Sequence, residues 1–449
     1  MNRPVSLDSF PSELVTHIAS YLCPVEDSRY QKALSQLSQT CRALRDDLQP
    51  MLFRAYSHGS RPVSHLIKFL RAIVSRPDLA AAVTKLTFHQ MLDYTTLSTT
   101  DKQFVETCIT DLGLRPPPVD WHLESEWRHT ILQTVVAYTP NLQVLDFPVN
   151  EEWSLEIFES FPDARNEIIF PRLRTLSIYY YYISGDRWGV DYSQVAPLLE
   201  ASPNLENLTL PTLEGFYEGR SDLPALDSVK TLDLGESASG AFFVISILTR
   251  CTSLRKFTLH WLSSTGYDES HEDWSIAEIW DAMVHAKQTL EEITFESSLD
   301  IPLGSPTMHS VSSLAGFTNL RVLNVDGRSL EAMFQAWRLK TGGVDVGEFV
   351  EQLLPAGTTR LTIWDPNHVL IPALLALARC RARGLYERLV QVTVGSSSVF
   401  NCWMPRPDWS RSEGSLRREF ARAGVQLDLE IPYIPPEMLN FMMLGGFMG

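Results

Sequence analysis

The sequence predicts an α/β chain in two parts. A small N-terminal module of three helices comes first, followed by a curved solenoid with a concave parallel sheet and convex helices. Two observations predict this. One is a short head, Ser6 to Phe53, whose apolar residues fall at helical spacing. The other is a phrase that recurs along the rest of the chain: an apolar residue, two variable, an apolar, one variable, an apolar.

In the head, Pro11 suits a first helical position, because its missing N–H costs nothing there and its φ is already helical. Glu13 follows in the first turn, where the helix dipole favours a carboxylate. Leu14, Ile18 and Leu22 recur every four residues and form one stripe. Pro24 ends that helix. Leu34 with Leu37, then Cys41 with Leu44 and Leu48, mark two more helices, with a break near Ser38 or Thr40. A module below ~60 residues has a marginal core and tends to lean on a neighbour.

These residues resemble an F-box. The family pattern of an apolar residue, proline, any residue, glutamate and leucine is matched by Phe10-Pro11-Ser12-Glu13-Leu14, and Thr40-Cys41-Arg42 matches a second stretch. The resemblance implies that Leu7, Phe10, Pro11, Leu14, Ile18, Leu22 and Leu34 contact the Skp-type adaptor of a cullin–RING ubiquitin ligase. Three departures bear on the second helix more than the first. Leu44 stands where the family has a tryptophan, Leu52-Phe53 replaces a closing leucine–tryptophan, and Cys23 to Ala33 is a long connection. The competing expectation is a helical cap for the solenoid that binds no adaptor.

The recurrent phrase opens at Leu142, Leu173, Leu205, Val229, Leu254, Leu290, Leu320, Thr358 and Leu389. The steps between these residues are 31, 32, 24, 25, 36, 30, 38 and 31. The copies at Thr358 and Leu389 are weaker, as is a further one, Val83-x-x-Leu86-x-Phe88. Self-similarity at such a period signals a solenoid. The last two apolar residues of each phrase are two apart, so on a strand they share a face. Helical spacing fills the intervals: Trp127 to Tyr138, Val195 to Ala201, Phe242 to Arg250, Ile276 to Ala286, Leu330 to Leu339 and Val369 to Arg383. Several of these run into a turn with asparagine before the next leucine: Pro140-Asn141-Leu142, Pro203-Asn204-Leu205 and Thr318-Asn319-Leu320. This array looks like degenerate leucine-rich repeats, although the usual repeat asparagine inside the phrase is mostly missing. A doubly wound α/β sheet is the alternative, and it would show longer, more continuous strands.

The expected boundaries are a head at 1–56, a linker helix at 57–82, repeats at 83–430 with an insertion at 91–126, and a tail at 431–449. Leu416 to Ala423 reads as a closing helix, with Val425-x-Leu427-x-Leu429 as the last strand. The tail carries Pro435-Pro436 and four methionines, Met438, Met442, Met443 and Met448.

On the strands, residues beside the buried leucines face the other way. The position after each phrase gives His89, Pro148, Tyr179, Pro211, Gly235, His260, Glu296, Asp326, Trp364 and Gly395. The middle position gives Thr87, Asp146, Ser177, Thr209, Asp233, Thr258, Thr294, Asn324, Thr362 and Thr393. Mixed aromatics and acids suit a protein-binding face. Tyr179, His260, Glu296, Asp326 and Trp364 are therefore the expected target contacts. Two clusters adjoin them, Tyr179 to Tyr182 with Trp188, and the acidic stretch Tyr267 to Trp274.

Composition excludes several classes. A net charge of -16 disfavours nucleic acid as a partner. Six cysteines without a C-x-x-C pair argue against a disulfide framework or structural zinc. Asp8 and Glu13 interrupt any signal peptide, and the longest apolar runs, Gly240 to Leu248 and Val369 to Ala378, are short of the ~20 residues that cross a bilayer. A cytoplasmic or nuclear protein without membrane contact is expected. No G-x-S-x-G, H-E-x-x-H, P-loop or G-x-G-x-x-G occurs. His122-Leu123-Glu124 lacks the cysteines that a deaminase needs. Glu151-Glu152 and Glu291-Glu292 are scattered acids at repeat edges. No cofactor, metal or intrinsic catalysis is expected, although a hydrolase hidden in an α/β fold would assemble its residues only in three dimensions. What the resemblance implies is a target-recognition subunit of an SCF-type ligase, its head on the Skp-type adaptor and its repeats on a protein target. The alternative is a repeat-built scaffold unconnected with ubiquitin.

Overall fold

A computed structural model describes residues 10–22, 28–59, 61–88, 97–114, 124–149, 169–180, 190–210, 213–214, 223–237, 241–261, 276–297, 314–343, 345–364, 370–395 and 410–430. The chain is α/β, with parallel strands alternating with helices, and falls into two compact units, Met1–Val229 and Lys230–Gly449.

The first unit opens with three helices: α1 (Ser12–Leu22), α2 (Ser28–Ser38) and α3 (Arg42–Phe53). The Pro11 carbonyl accepts from the Leu14 and Val15 amides, so proline sits one step before the helix it starts. Ser38 and Thr40 cap the end of α2, their hydroxyls donating to the carbonyls of Ser35 and Leu37 at 2.8 Å. Val15 and Ala19 of α1 pack with Leu34, Leu44 and Leu48 as the core of this module.

Strand β1 (Ala55–His58) follows α3 after a single residue, then α4 (Val63–Ser75), α5 (Pro77–Ala82) and β2 (Lys85–Phe88). The expected linker helix at 57–82 is thus a strand edge and two helices, and the sheet starts at Ala55 rather than at residue 83. Ala55–His58 lacks a leucine phrase: Tyr56 and His58 occupy the two inward positions, which hid the strand. The expected insertion at 91–126 contains an ordered helix, α6 (Thr99–Leu112), capped by Ser98 and ended by Gly113 at φ 72°. Helix α7 (Glu124–Ala137) leads into β3 (Val144–Val149), β4 (Thr175–Tyr180), β5 (Val190–Asp191), β6 (Asn207–Thr209) and β7 (Leu213–Glu214). In this unit β1-β2-β3-β4-β6 lie side by side in chain order, all parallel, and β5 pairs with β7 separately.

In the second unit β8 (Thr231–Ser237), β9 (Lys256–Trp261), β10 (Glu292–Ser297), β11 (Val322–Asp326), β12 (Arg360–Trp364), β13 (Gln391–Gly395) and β14 (Gln426–Glu430) are again neighbours in chain order and parallel. A doubly wound sheet reverses its strand order at a switch point; neither unit does. The helices between these strands are Ala241–Arg250, Ile276–Met283, Gly327–Thr341, Leu370–Ala382 and Ser410–Arg422. Helix Val346–Leu353, capped by Asp345, was not foreseen.

Burial confirms the phrase. From Leu142 to Val394, all three of its positions are between 0 and 5% exposed in every copy. One copy places Thr358 in the leucine slot, and its hydroxyl has no partner among the described residues. Most neighbouring strands also share one acceptor at their start, a carbonyl that receives two successive amides. The Arg54 carbonyl receives the amides of Thr84 and Lys85, that of Thr84 receives Gln143 and Val144, and that of Gln143 receives Arg174 and Thr175. The carbonyls of Arg255, Glu291 and Arg321 repeat the arrangement in the second unit. The turn asparagines have a place in it too. Asn141 donates to the Ala81 carbonyl at 2.8 Å, Asn204 to Pro171 at 3.0 Å, and Asn319 to Gln288. At these three turns the asparagine ties one strand's approach to the segment that precedes the neighbouring strand.

Candidate functional site

Two surfaces collect the residues singled out by the sequence. The first is the outer side of α1. An amphipathic helix turns one apolar face inward, and here Val15 and Ala19 do so. Phe10, Leu14, Ile18 and Tyr21 face the other way, 39, 47, 43 and 75% exposed. These are four of the eight exposed large hydrophobics among the described residues. Pro11 is exposed beside them. Tyr21 was not anticipated; it stacks edge-on against His17, one turn back, at 4.9 Å. Its spacing of three from Ile18 was the available signal. Leu34 corrects an expectation: it is fully buried in the core of the module and offers nothing to a partner. Leu7 lies outside the described residues, as does the side chain of Leu22.

The second surface is the sheet face opposite the leucines. Its middle positions align in register, as Ser57, Thr87, Asp146, Ser177 and Thr209 in the first unit. In the second unit Asp233, Thr258, Thr294, Asn324, Thr362, Thr393 and Asp428 align likewise. Asn324 donates to the Thr294 hydroxyl at 3.0 Å. Neutral donors hold the two end carboxylates. The Gly235 amide donates to Asp233, and the Gln391 and Gln426 side chains donate to Asp428, which keeps the Asp428 carboxyl below the usual range.

The expected target contacts divide in this frame. His260 and Glu296 are register partners on β9 and β10, with Nδ1 and Oε2 2.9 Å apart and both side chains partly exposed. Trp364 is half-buried, and its indole nitrogen has no acceptor among the described residues. Tyr179 is partly engaged: its hydroxyl donates to the Phe88 carbonyl at 2.6 Å, and burial beside Asp146 pushes it up to about 12. Asp326 does not face a partner. It is 4% exposed, and its carboxylate accepts from the Ser329 amide and hydroxyl, capping the helix that starts at Gly327. An acid after a strand and before a helix is as much a capping signal as a binding one. Gly235 also leaves the row: a bulge in β8 pairs Glu236, not Gly235, with His260. The clusters from Tyr181 to Trp188 and from Tyr267 to Trp274 lie outside the described residues, as does the tail.

Other candidates resolve into structure. Glu291 and Glu292 are ion-paired with Arg255 and Lys256. Cys108, Cys251 and Cys380 are buried and Cys41 is half-buried, and none of the four forms a disulfide. Among the described residues no three His, Cys, Asp or Glu side chains are grouped to hold a metal. No described helix is long and apolar enough to cross a membrane. The chain matches no protein-family model, and no curated protein is significantly similar to it in sequence.

Proposed function

We propose that this chain is the target-recognition subunit of an SCF-type cullin–RING ubiquitin ligase, with an F-box head and a leucine-rich-repeat-like solenoid. The observation that carries this is helix α1, which is apolar on both sides. Val15 and Ala19 supply the module's own core, while Phe10, Leu14, Ile18 and Tyr21 remain exposed. A soluble helix with a second uncovered apolar face calls for a partner. The residues on it are those of the F-box pattern, so the fitting partner is a Skp-type adaptor. The repeat period and its buried leucine slots support the solenoid half of the proposal.

The physical logic is proximity. The head holds the adaptor, the sheet face holds a target, and the lysines of that target come within reach of a ubiquitin-charged enzyme carried elsewhere. Raising effective concentration in this way needs no catalytic side chain in the receptor. The site of action is the cytosol or nucleus, where such ligases work. Co-purification of the full chain with a Skp-type adaptor tests the proposal. Retention through gel filtration at micromolar concentration is expected; elution of the two proteins apart refutes it.

A further inference from the structure

The turn between the helix Leu370–Ala382 and β13 is unlike the others of the array. Residues 379–390 carry four arginines, Arg379, Arg381, Arg383 and Arg388, against one acid, Glu387, in a chain of net charge -16. Arg381 donates to the Leu389 carbonyl and Arg383 pairs with Glu351. Arg379 and Arg388 are exposed, and neither has an ion-pair partner among the described residues. Leu385 stands between the arginines and Val390 just past them, 41 and 57% exposed. Among the described residues only Tyr21 is a more exposed large hydrophobic than Val390. Val390 follows the first apolar residue of its phrase, a place held by a polar residue in all eight earlier copies, from Gln143 and Arg174 to Arg321 and Thr359. The turn is also held fast. Gly384 and Tyr386 both lie in the left-handed region, at φ 90 and 54°, where a residue with a side chain is rare. The Tyr386 ring is buried and its hydroxyl donates to the Val350 carbonyl, while Leu385 beside it is left in water.

We infer that this turn seats an acidic segment of a partner protein, one with two or more Asp or Glu residues beside a leucine or phenylalanine. Charge complementarity identifies the occupant. The apolar residue covers Leu385 and Val390, and the carboxylates take the planar guanidinium groups of Arg379 and Arg388, which match a carboxylate two N–H bonds at a time. A fixed turn gives up little conformational freedom when it is covered. A peptide meets only the local field, because charges beyond ~8 Å are screened at physiological salt. An anionic bilayer would approach a broad area of a chain whose net charge is -16, which opposes it. The turn belongs neither to the outer face of α1 nor to the sheet row, so the inference goes beyond the proposed function and does not rest on it.

The test is fluorescence anisotropy of the full chain with labelled ten-residue peptides in a Ser/Gly background. One places three glutamates and an aspartate around a central Leu-Phe pair. A second has serine in place of the Leu-Phe pair, and a third has lysine in place of the acids. The first binds with a dissociation constant below about 1 mM, the second at least about threefold more weakly, and the third not at all. Reversal of both exposed arginines, Arg379→Glu with Arg388→Glu, weakens the first peptide at least about tenfold. Val390→Thr, which installs the residue type that Thr359 gives the neighbouring copy, weakens it about threefold. Arg172→Glu with Arg338→Glu, an equal change of charge at exposed sites elsewhere, alters it less than about twofold. Unchanged thermal melting shows that each variant is folded. No binding of the first peptide, or equal loss in the two double reversals, overturns the inference. Tighter capture of the chain by phosphatidylserine vesicles than by the peptide, lost in Arg379→Glu with Arg388→Glu, overturns it in favour of a lipid surface. A dimer in gel filtration that the same variant dissociates overturns it in favour of a second copy of this chain.

Discussion

Leu14 and Leu34 are both leucines of the head, and the F-box resemblance assigns both to one interface. Their surroundings predict opposite behaviour. Leu34 is fully buried, so Leu34→Ala leaves a cavity and destabilises the module by ~2–5 kcal/mol. Leu14 is 47% exposed. Complete burial of a leucine is worth ~1.5–3 kcal/mol, so about half of that, ~0.7–1.4 kcal/mol, remains to be gained on contact with a partner. Leu14→Ala therefore weakens adaptor binding about 3–10-fold and leaves the melting curve nearly unmoved. Leu14→Asp forces an unpaired carboxylate into an apolar contact at a cost of several kcal/mol, so the loss exceeds ~100-fold. Surface-immobilised adaptor, titrated with each purified variant, measures the affinities; circular dichroism of the same samples measures stability. An affinity for Leu14→Asp equal to that of the unaltered chain would refute the outward face of α1 as the contact. Loss of fold in Leu14→Asp together with loss of binding would refute the claim that this face is free.

Three further outcomes are expected. Thr358→Val keeps the side chain's shape and removes a buried hydroxyl without a partner, so it stabilises by ~1–2 kcal/mol in chemical denaturation; destabilisation would mean that the hydroxyl is satisfied. Asp326→Ala removes a helix cap and costs ~1–2 kcal/mol of stability, with target affinity unchanged, whereas a selective loss of affinity would restore Asp326 to the binding face. His58 is fully buried, shares a 3.0 Å hydrogen bond between Nδ1 and the Tyr56 hydroxyl, and is lowered by burial from 6.5 to about 4. The unfolded chain then binds the extra proton between those values, so stability is complete above about pH 6.5. It declines as pH falls toward about 4, by up to ~3 kcal/mol. His58→Phe flattens that limb of the stability–pH curve, and a limb of unchanged slope would show that another group causes it.

The repeat core was legible because its signal is dense and physical. Three apolar slots at fixed spacing survive even when Phe257, Ile293 or Val392 replaces leucine. The first strand was not, since Tyr56 and His58 are amphipathic and resemble a loop in sequence. The site was legible in position but not in role. Alternation places Asp326, His260 and Trp364 on one side of the sheet, yet only three dimensions show that Ser329 claims the Asp326 carboxylate. Leu34 was misread for a similar reason. A helical stripe tells which residues want to leave water, but not whether the chain itself or another protein provides the cover. Tyr21 shows the converse: a half-polar ring at the end of a helix is easily passed over until its exposure is measured.

The single residue between α3 and β1 has a mechanical meaning. The Arg54 carbonyl, at the end of the head, is the acceptor for two amides at the start of β2. Phe53 and Tyr56 both stack on Phe69 of α4, at 5.6 and 3.9 Å. The head is thus spliced into the first strand pair like the handle of a forged tool, with no hinge between grip and blade. A protein seated on α1 inherits the orientation of β1 and β2, and the angle between them is set when the chain folds rather than when it binds. Lengthening the splice by a few glycines after Phe53 would leave both surfaces intact and destroy only their bearing on each other.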